Sequence, residues 1–306
     1  MTSLDTSYTL QNKLLKLSVY GALLLAIIGI VIGYLVSSQM VLFDGLYSFI
    51  SVILSFLSLY TANYIRKKDI KRFPFGKEML EPIVIIIKYL VILLLTFSAL
   101  VSSFITVFNG GRETVVEFAL LYALVSTIVC WAIYACLQKH SKEEYGLIKA
   151  EANQWRMDMY LSGAVLIGFL FASLLSLTPY SHIIPYVDPL MVILVASYFV
   201  KVPITEMAKA IKEVLEMAPA QAIEEKYQDV VFSIEKTYKV EQSYLRMSKV
   251  GSKLYVEIDF ILNNQSDILT IDDQDFIREQ IDQQTKELKY EKWVTVCFTK
   301  NRKWAH

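Results

Sequence analysis

Six times within its first two hundred residues the chain runs apolar for long enough to cross the roughly 30 Å hydrocarbon layer of a bilayer. The stretches cover about 14–37, 40–63, 82–108, 115–138, 152–177 and 183–203, the fifth helix being expected to start earlier, near Glu143. Each must close its backbone hydrogen bonds internally, so each is expected to be a helix. More than half of the 306 residues are apolar and the mean hydropathy is +0.42, which disfavours a single soluble domain. The opening MTSLDTSYTLQN lacks the charged start and small-residue cleavage site of a signal peptide, so the first apolar run is expected to be retained.

The connections set the orientation. Arg66, Lys67, Lys68, Lys71, Arg72 and Lys77 follow the second span, and Lys139, Lys142 and Lys149 follow the fourth. The alternate connections carry only Arg112, so the positive-inside rule puts both termini in the cytoplasm. The basic run after the second span reads as topology and anionic headgroup contact. Net charge is zero, and no basic patch of the kind that binds nucleic acid stands out.

Within the second span, QMVLFDGLYSFISVILSFLSLYTA (39–62), Asp44, Tyr47, Ser48, Ser51, Ser55 and Ser58 recur at spacings of three and four. On a helix they share one face while aliphatic and aromatic residues cover the rest. A carboxylate at this depth costs about 2.5–3.5 kcal/mol on insertion scales, so the face must look into a bundle interior or a wet path. The fifth span carries a second such set, in which Gln154, Asp158 and Ser162 are four apart and Glu151 precedes them on the same side. Two intramembrane aspartates on two polar faces favour an ion pathway over hydrogen-bonded glue. Oxygen donors without thiolate or imidazole suit a hard or borderline divalent cation.

Other features read structurally. Gly29 and Gly33 form a GxxxG spacing that permits close helix approach, and Lys88 snorkels or forms a buried ion pair. Cys130, Cys136 and Cys297 form no CxxC pair and read as small buried hydrophobes. Arg156 is assigned to a cytoplasmic-side ion pair, Trp155 and Met157 to packing.

After the sixth span the chain becomes charge-rich. EMAKAIKEVLEM continues the last helix to a break at Pro219, and AIEEKYQDVVFSIEKTY reads as a second amphipathic helix. SYLRMSKV and KLYVEIDFIL alternate like strands around a turn at Gly251 and Ser252. Thr270 with Asp273 forms a capping box opening IDDQDFIREQIDQQTKEL, and KWVTVCFTK closes as a strand. The order helix, strand, strand, helix, strand predicts a small α+β sheet with helices on one face, ferredoxin-like in class. It holds no glycine-rich phosphate loop and no nucleophile beside a base, so the chain is not expected to be an enzyme.

Four segments in this order resemble the cation diffusion facilitators, or cation efflux proteins: FDGLYSFIS (43–51), DIKRFPFGKEMLE (69–81), QWRMD (154–158) followed by LSGAVLIG, and VDPLMVILVASYFV leading into KAIKEVLEMAP. The resemblance covers nearly the whole length. It implies a six-span cation efflux domain over 1–205 and a cytoplasmic dimerisation domain over 206–306, forming a homodimer in the bilayer. It further implies export of divalent metal from the cytoplasm, commonly against protons, with the metal as cargo and no prosthetic group. A bacterial plasma membrane is the expected location.

The family supplies four ligands as two pairs spaced by four. Carried over, these are Tyr47 with Ser51 and Gln154 with Asp158. Only Asp158 keeps the expected carboxylate; Ser51 stands where Asp is usual, Gln154 where His is usual, and Phe73 where the loop commonly has His. A phenol, a hydroxyl and an amide around one carboxylate make a poor zinc trap. Either Asp44 adds a second negative charge, or the cargo is a loosely held ion such as Mn²⁺, Fe²⁺, Mg²⁺ or Na⁺; Co²⁺ and Zn²⁺ remain candidates to be tested. Asp44 has an equally weighted structural reading as a cap at the start of the second span. With no histidine in any span, Asp158 is the candidate proton carrier. A non-transporting regulatory relative and a carrier of another solute or of sodium are the competing functions.

Overall fold

A computed structural model describes residues 3–67, 69–140, 146–251, 253–288 and 290–305. The side chains of 3–15, Ser55, Ser58, Glu151 and Gln154 lie outside the described residues, as does Glu143, the expected start of the fifth helix. The elements in chain order are α1 (Ser3–Leu35), α2 (Gln39–Arg66), α3 (Leu80–Phe108), α4 (Val116–His140), α5 (Gly146–Ser176), α6 (Ile184–Phe199), α7 (Lys201–Val214), α8 (Gln221–Tyr238), β1 (Gln242–Val250), β2 (Lys253–Ile261), α9 (Ile271–Gln284) and β3 (Glu291–Thr299).

Among the described residues, five helical segments are long and apolar enough to cross a membrane: Lys16–Leu35, Leu80–Phe108, Val116–Lys139, Trp155–Ser176 and Ser181–Val214. A shorter apolar segment, Gln39–Leu54, opens α2. Contacts divide the chain into two compact units, residues 1–57 with 88–205 and residues 58–87 with 206–306.

The first unit is a helical bundle that turns its aliphatic and aromatic residues outward. Phe97, Phe118, Leu174 and Leu194 are all more exposed than buried. Such surfaces are stable only where hydrocarbon replaces water. The interior joins apolar residues of α2, α4, α5 and α6, including Met40, Phe43, Ala123, Val165, Phe169 and Val192, to buried Ser51, Ser126, Ser162 and Asp188.

Glycine and proline fix two close approaches. Gly29 and Gly45 bring α1 and α2 into backbone contact: a Cβ on Gly29 would lie 2.9 Å from the Gly45 Cα, and one on Gly33 would lie 2.5 Å from the Leu42 nitrogen. The GxxxG pair thus packs helices, as expected. In α6, Pro189 has no N–H to offer the carbonyl of Pro185 four residues earlier. The Arg112 N–H fills that carbonyl at 2.8 Å, seating the α3–α4 loop on α6. Pro203 similarly denies Phe199 a donor where α6 gives way to α7.

The second unit is built as a water-facing domain. In its three-stranded sheet β1 pairs antiparallel with β2, and β2 pairs parallel with β3. Gly251, at φ +58°, opens the tight turn between Val250 and Lys253; Ser252 lies outside the described residues. The parallel pair requires a crossover, which α9 supplies. Leu254, Val256, Ile258 and Phe260 alternate along β2 and share one cluster with Tyr227, Val230 and Ile234 of α8 and Ile277 and Ile281 of α9. Both helices therefore cover the same face. The Thr270–Asp273 capping box is formed.

The other face of β2 is polar and carries the loop that joins α2 to α3. Lys253 and Glu78, both buried, pair at 3.4 Å. The Tyr255 hydroxyl donates to the Phe75 carbonyl at 3.1 Å, and Phe75 packs on Trp293. Next to Glu78, Lys77 departs from the headgroup contact expected of the basic run. Its side chain is buried, its Nζ donates to the Lys67 and Tyr64 carbonyls at 2.9 and 3.4 Å, and it lies 4.0 Å from the centre of the Tyr64 ring. A cation there closes the carbonyl end of α2, where the helix dipole favours it.

Candidate functional site

The first helical residues of α2 are held by another helix. Asp188, in the sixth expected span, is buried and accepts from the Ser38 hydroxyl at 2.6 Å, the Gln39 N–H at 2.7 Å and the Met40 N–H at 3.2 Å. Ser38 itself accepts from the Val41 N–H at 3.1 Å. These are the donors that a helix start leaves without partners. Gln39 then ties the same end to α3, donating to Ser102 at 3.0 Å and Thr106 at 2.9 Å.

This arrangement removes the capping role considered for Asp44. The helix begins at Gln39, five residues earlier, and its open N–H groups are taken by Ser38 and Asp188. Asp44 is buried instead in the bundle, where its Oδ2 accepts from the Tyr122 hydroxyl of α4 at 2.8 Å. Gly45 beside it lets α1 approach, so Asp44 sits where three helices meet.

One turn further along α2, the half-buried Tyr47 ring packs between Phe43 and Phe199, each 6.2 Å away between ring centres. Ser51 follows on the same side and is buried. On α5, Asp158 is half-buried and close enough to act electrostatically on the Tyr47 hydroxyl and on Cys130 of α4. Asp44 acts on Cys130 as well. Both carboxylates thus lie within electrostatic reach of Cys130 on α4. The fourth expected ligand, the Gln154 side chain, lies outside the described residues.

The contribution of α4 was not read from the sequence. Tyr122, Ser126 and Cys130 are four apart in YALVSTIVC and are all buried. Ser126 shares a hydrogen bond with Ser162 of α5 at 3.0 Å, and the Cys130 sulfur lies 4.0 Å from the same Ser162 hydroxyl. The spacing was the available signal, hidden because tyrosine, serine and cysteine each pass as apolar or small within a hydrophobic run.

Of the neighbouring residues, Trp155 is buried and its indole N–H donates to Ser18 of α1 at 2.7 Å, a packing role. Arg156 is exposed and makes no ion pair among the described residues. Among the described residues, no three His, Cys, Asp or Glu side chains converge to hold a metal ion. Any cation held here would rely on hydroxyl and amide oxygens beside the carboxylates.

The family model of the cation efflux transmembrane domain matches residues 15–215, more than half of the chain. The chain belongs to the cation efflux family. It is accordingly an integral membrane protein that transports cations, and family membership places it among transporters rather than enzymes. A comparison with curated proteins finds no match.

Proposed function

We propose that this cation efflux protein exports a divalent metal ion from the cytoplasm in exchange for protons, holding the ion between α2 and α5. The observation that carries this reading is the buried Asp44 on α2, with Tyr47 one turn along within electrostatic reach of Asp158 on α5. Placing one buried and one half-buried carboxylate in an apolar bundle is costly, and a cation offsets that cost in a way that packing does not. The ligands are Asp158, Tyr47, Ser51 and Gln154, with Asp44 supplying the second negative charge. With at most two anionic donors, the cargo is a hard or borderline ion such as Mn²⁺ or Fe²⁺ rather than tightly held Zn²⁺.

The remaining features follow family practice. Six spans, α2 included, leave both termini in the cytoplasm; the αββαβ unit is a ferredoxin-like dimerisation domain; and the protein works as a homodimer in a bacterial plasma membrane. Asp158 carries the exchanged proton.

Transport into proteoliposomes tests this. The wild-type protein should take up Mn²⁺ or Fe²⁺ while moving protons the other way, and Asp158→Asn should abolish both. Uptake by Asp158→Asn with unchanged rate and pH dependence would sink the assignment. Failure of Mn²⁺, Fe²⁺, Co²⁺ and Zn²⁺ alike to bind would favour a regulatory, non-transporting role, and uptake driven by Na⁺ alone would favour a sodium carrier.

A further inference from the structure

We propose that Tyr122 is the positioning residue of the cation site: it holds Asp44 by one oxygen, so that the carboxylate meets a cation through the other. The inference rests on the reading of Asp44 as part of that site and adds α4 as the element that aims it.

A carboxylate in a bundle interior can rotate about its last bond unless something fixes it. The Tyr122 hydroxyl donates to Asp44 Oδ2 at 2.8 Å, and both residues are buried. With Oδ2 engaged, Oδ1 is the oxygen left to a cation, and Asp44 is a single-oxygen donor. Such a donor suits an ion that takes many loosely held oxygens.

The phenol itself is confined. On one side is Gly29, where a Cβ would fall 2.5 Å from the Tyr122 oxygen, so only glycine leaves the hydroxyl its place. One turn along α4 from Tyr122, and on the same face, lies the buried Ser126. Ser126 in turn bonds to Ser162 at 3.0 Å, and Ser162 lies one turn beyond Asp158 on α5. Through Tyr122 and Ser126, α4 therefore reaches both Asp44 on α2 and the turn of α5 that follows the other carboxylate. It ties together the two helices whose carboxylates must act on one ion. A group that orients a ligating carboxylate affects metal affinity about 10–100-fold, although it touches no metal.

The test is calorimetry of the full-length protein in nanodiscs, with Mn²⁺ and Zn²⁺ as probes, on wild type, Tyr122→Phe, Asp44→Asn and the double variant. Tyr122→Phe keeps the ring and should weaken Mn²⁺ binding about 10–100-fold. In the Asp44→Asn background the same substitution should have no further effect, because Tyr122 acts through Asp44; a residue that only packs would weaken both backgrounds alike. Wild-type affinity in Tyr122→Phe, or a full additional loss in the double variant, overturns the proposal. If Tyr122→Phe does not fold, Tyr122→Leu takes its place, with the same direction of loss expected, and an unchanged affinity there counts against the proposal. A wild-type protein that binds neither ion removes the cation site itself, a failure distinct from either of these.

Discussion

The two compact units of this chain keep opposite things inside. In residues 206–306 the interior is Leu254, Ile258, Phe260, Ile277 and Ile281, and ion pairs such as Lys209 with Glu206 and Arg278 with Asp275 lie exposed. In the membrane unit Asp44, Ser126, Ser162 and Asp188 are buried, while Phe97, Leu174 and Leu194 are exposed. Water drives the first arrangement. In lipid that drive between helices is absent, so close glycine contacts and interhelical hydrogen bonds must specify the packing. Apolar residues thus define the core of one unit and the outer surface of the other, and the polar residues buried in the bundle join its helices.

The largest test of that contrast is a matched pair of truncations. Phe260→Ala removes a fully buried ring stacked on Phe298 and should cost about 3–5 kcal/mol in unfolding of the C-terminal elements. Leu194→Ala, in the bundle, removes a side chain that is 72% exposed and should leave the melting temperature in detergent within error. Equal losses at the two positions would mean that α6 buries Leu194 against another helix and that the contrast is drawn too sharply.

Next in size is the pair in which the second unit departs from its own rule. Lys253 and Glu78 are both buried, at 8% and 10% side-chain exposure, and one Glu78 oxygen, Oε2, has no hydrogen-bond partner among the described residues. Lys253→Met leaves that carboxylate without a counter-charge and should destabilise the unit by about 3–5 kcal/mol. Lys253→Met combined with Glu78→Gln should recover most of the loss. Urea titration followed by Trp293 fluorescence would read both, and a double variant as unstable as the single one would show that the pair contributes more than charge balance.

In the bundle, Gly29→Ala should be felt although it adds one methyl. Its Cβ would meet the Gly45 backbone at 2.9 Å and the Tyr122 oxygen at 2.5 Å. Overpacking of this kind costs about 1–3 kcal/mol. Gly163→Ala, where the added methyl meets nothing within 4 Å, is the control and should be neutral or slightly stabilising. Thermal unfolding in detergent separates them, and comparable effects at the two positions would remove Gly29 as a packing determinant.

These positions also show what a sequence can and cannot disclose. The hairpin turn at Gly251, the capping box at Thr270 and the order of the last five elements depend on neighbours in the chain, and all are legible there. The packing of Gly29 is legible because a four-residue glycine spacing has one common use. Asp188 is different: nothing in VDPLMV says that its carboxylate will cap a helix that begins 149 residues earlier. Lys77 was hidden among basic neighbours whose sidedness explained them all, although among the described residues it alone of that run is buried, against the end of α2. Tyr122 was hidden for a third reason, since a phenol in an apolar run signals nothing until a carboxylate on another helix comes within reach of it.

The smallest effect concerns the sheet domain, and its sign can be worked out in advance. The Asp273 carboxylate accepts from the Thr270 and Leu269 N–H groups at 2.8 and 3.0 Å, while the Thr270 hydroxyl accepts from the Asp273 N–H at 3.2 Å. These bonds, the Thr270 N–H first, hold its carboxyl below the ordinary carboxylate value of 3.8. A group whose value is lowered by folding binds its proton more readily in the unfolded chain. Its contribution is therefore complete above the unfolded value and fades as the pH falls through the lowered folded one. Hydrogen exchange at the first amides of α9 should then be faster in Asp273→Asn than in wild type at neutral pH, with the difference closing in acid. Thr270→Ala, which removes the cap at any pH, should cost about 1 kcal/mol at both ends of the range. If the Asp273→Asn difference persists below the folded value, the carboxylate charge is not what holds the start of α9. Its stability would then rest on the packing of Ile277 and Ile281, like the rest of that core.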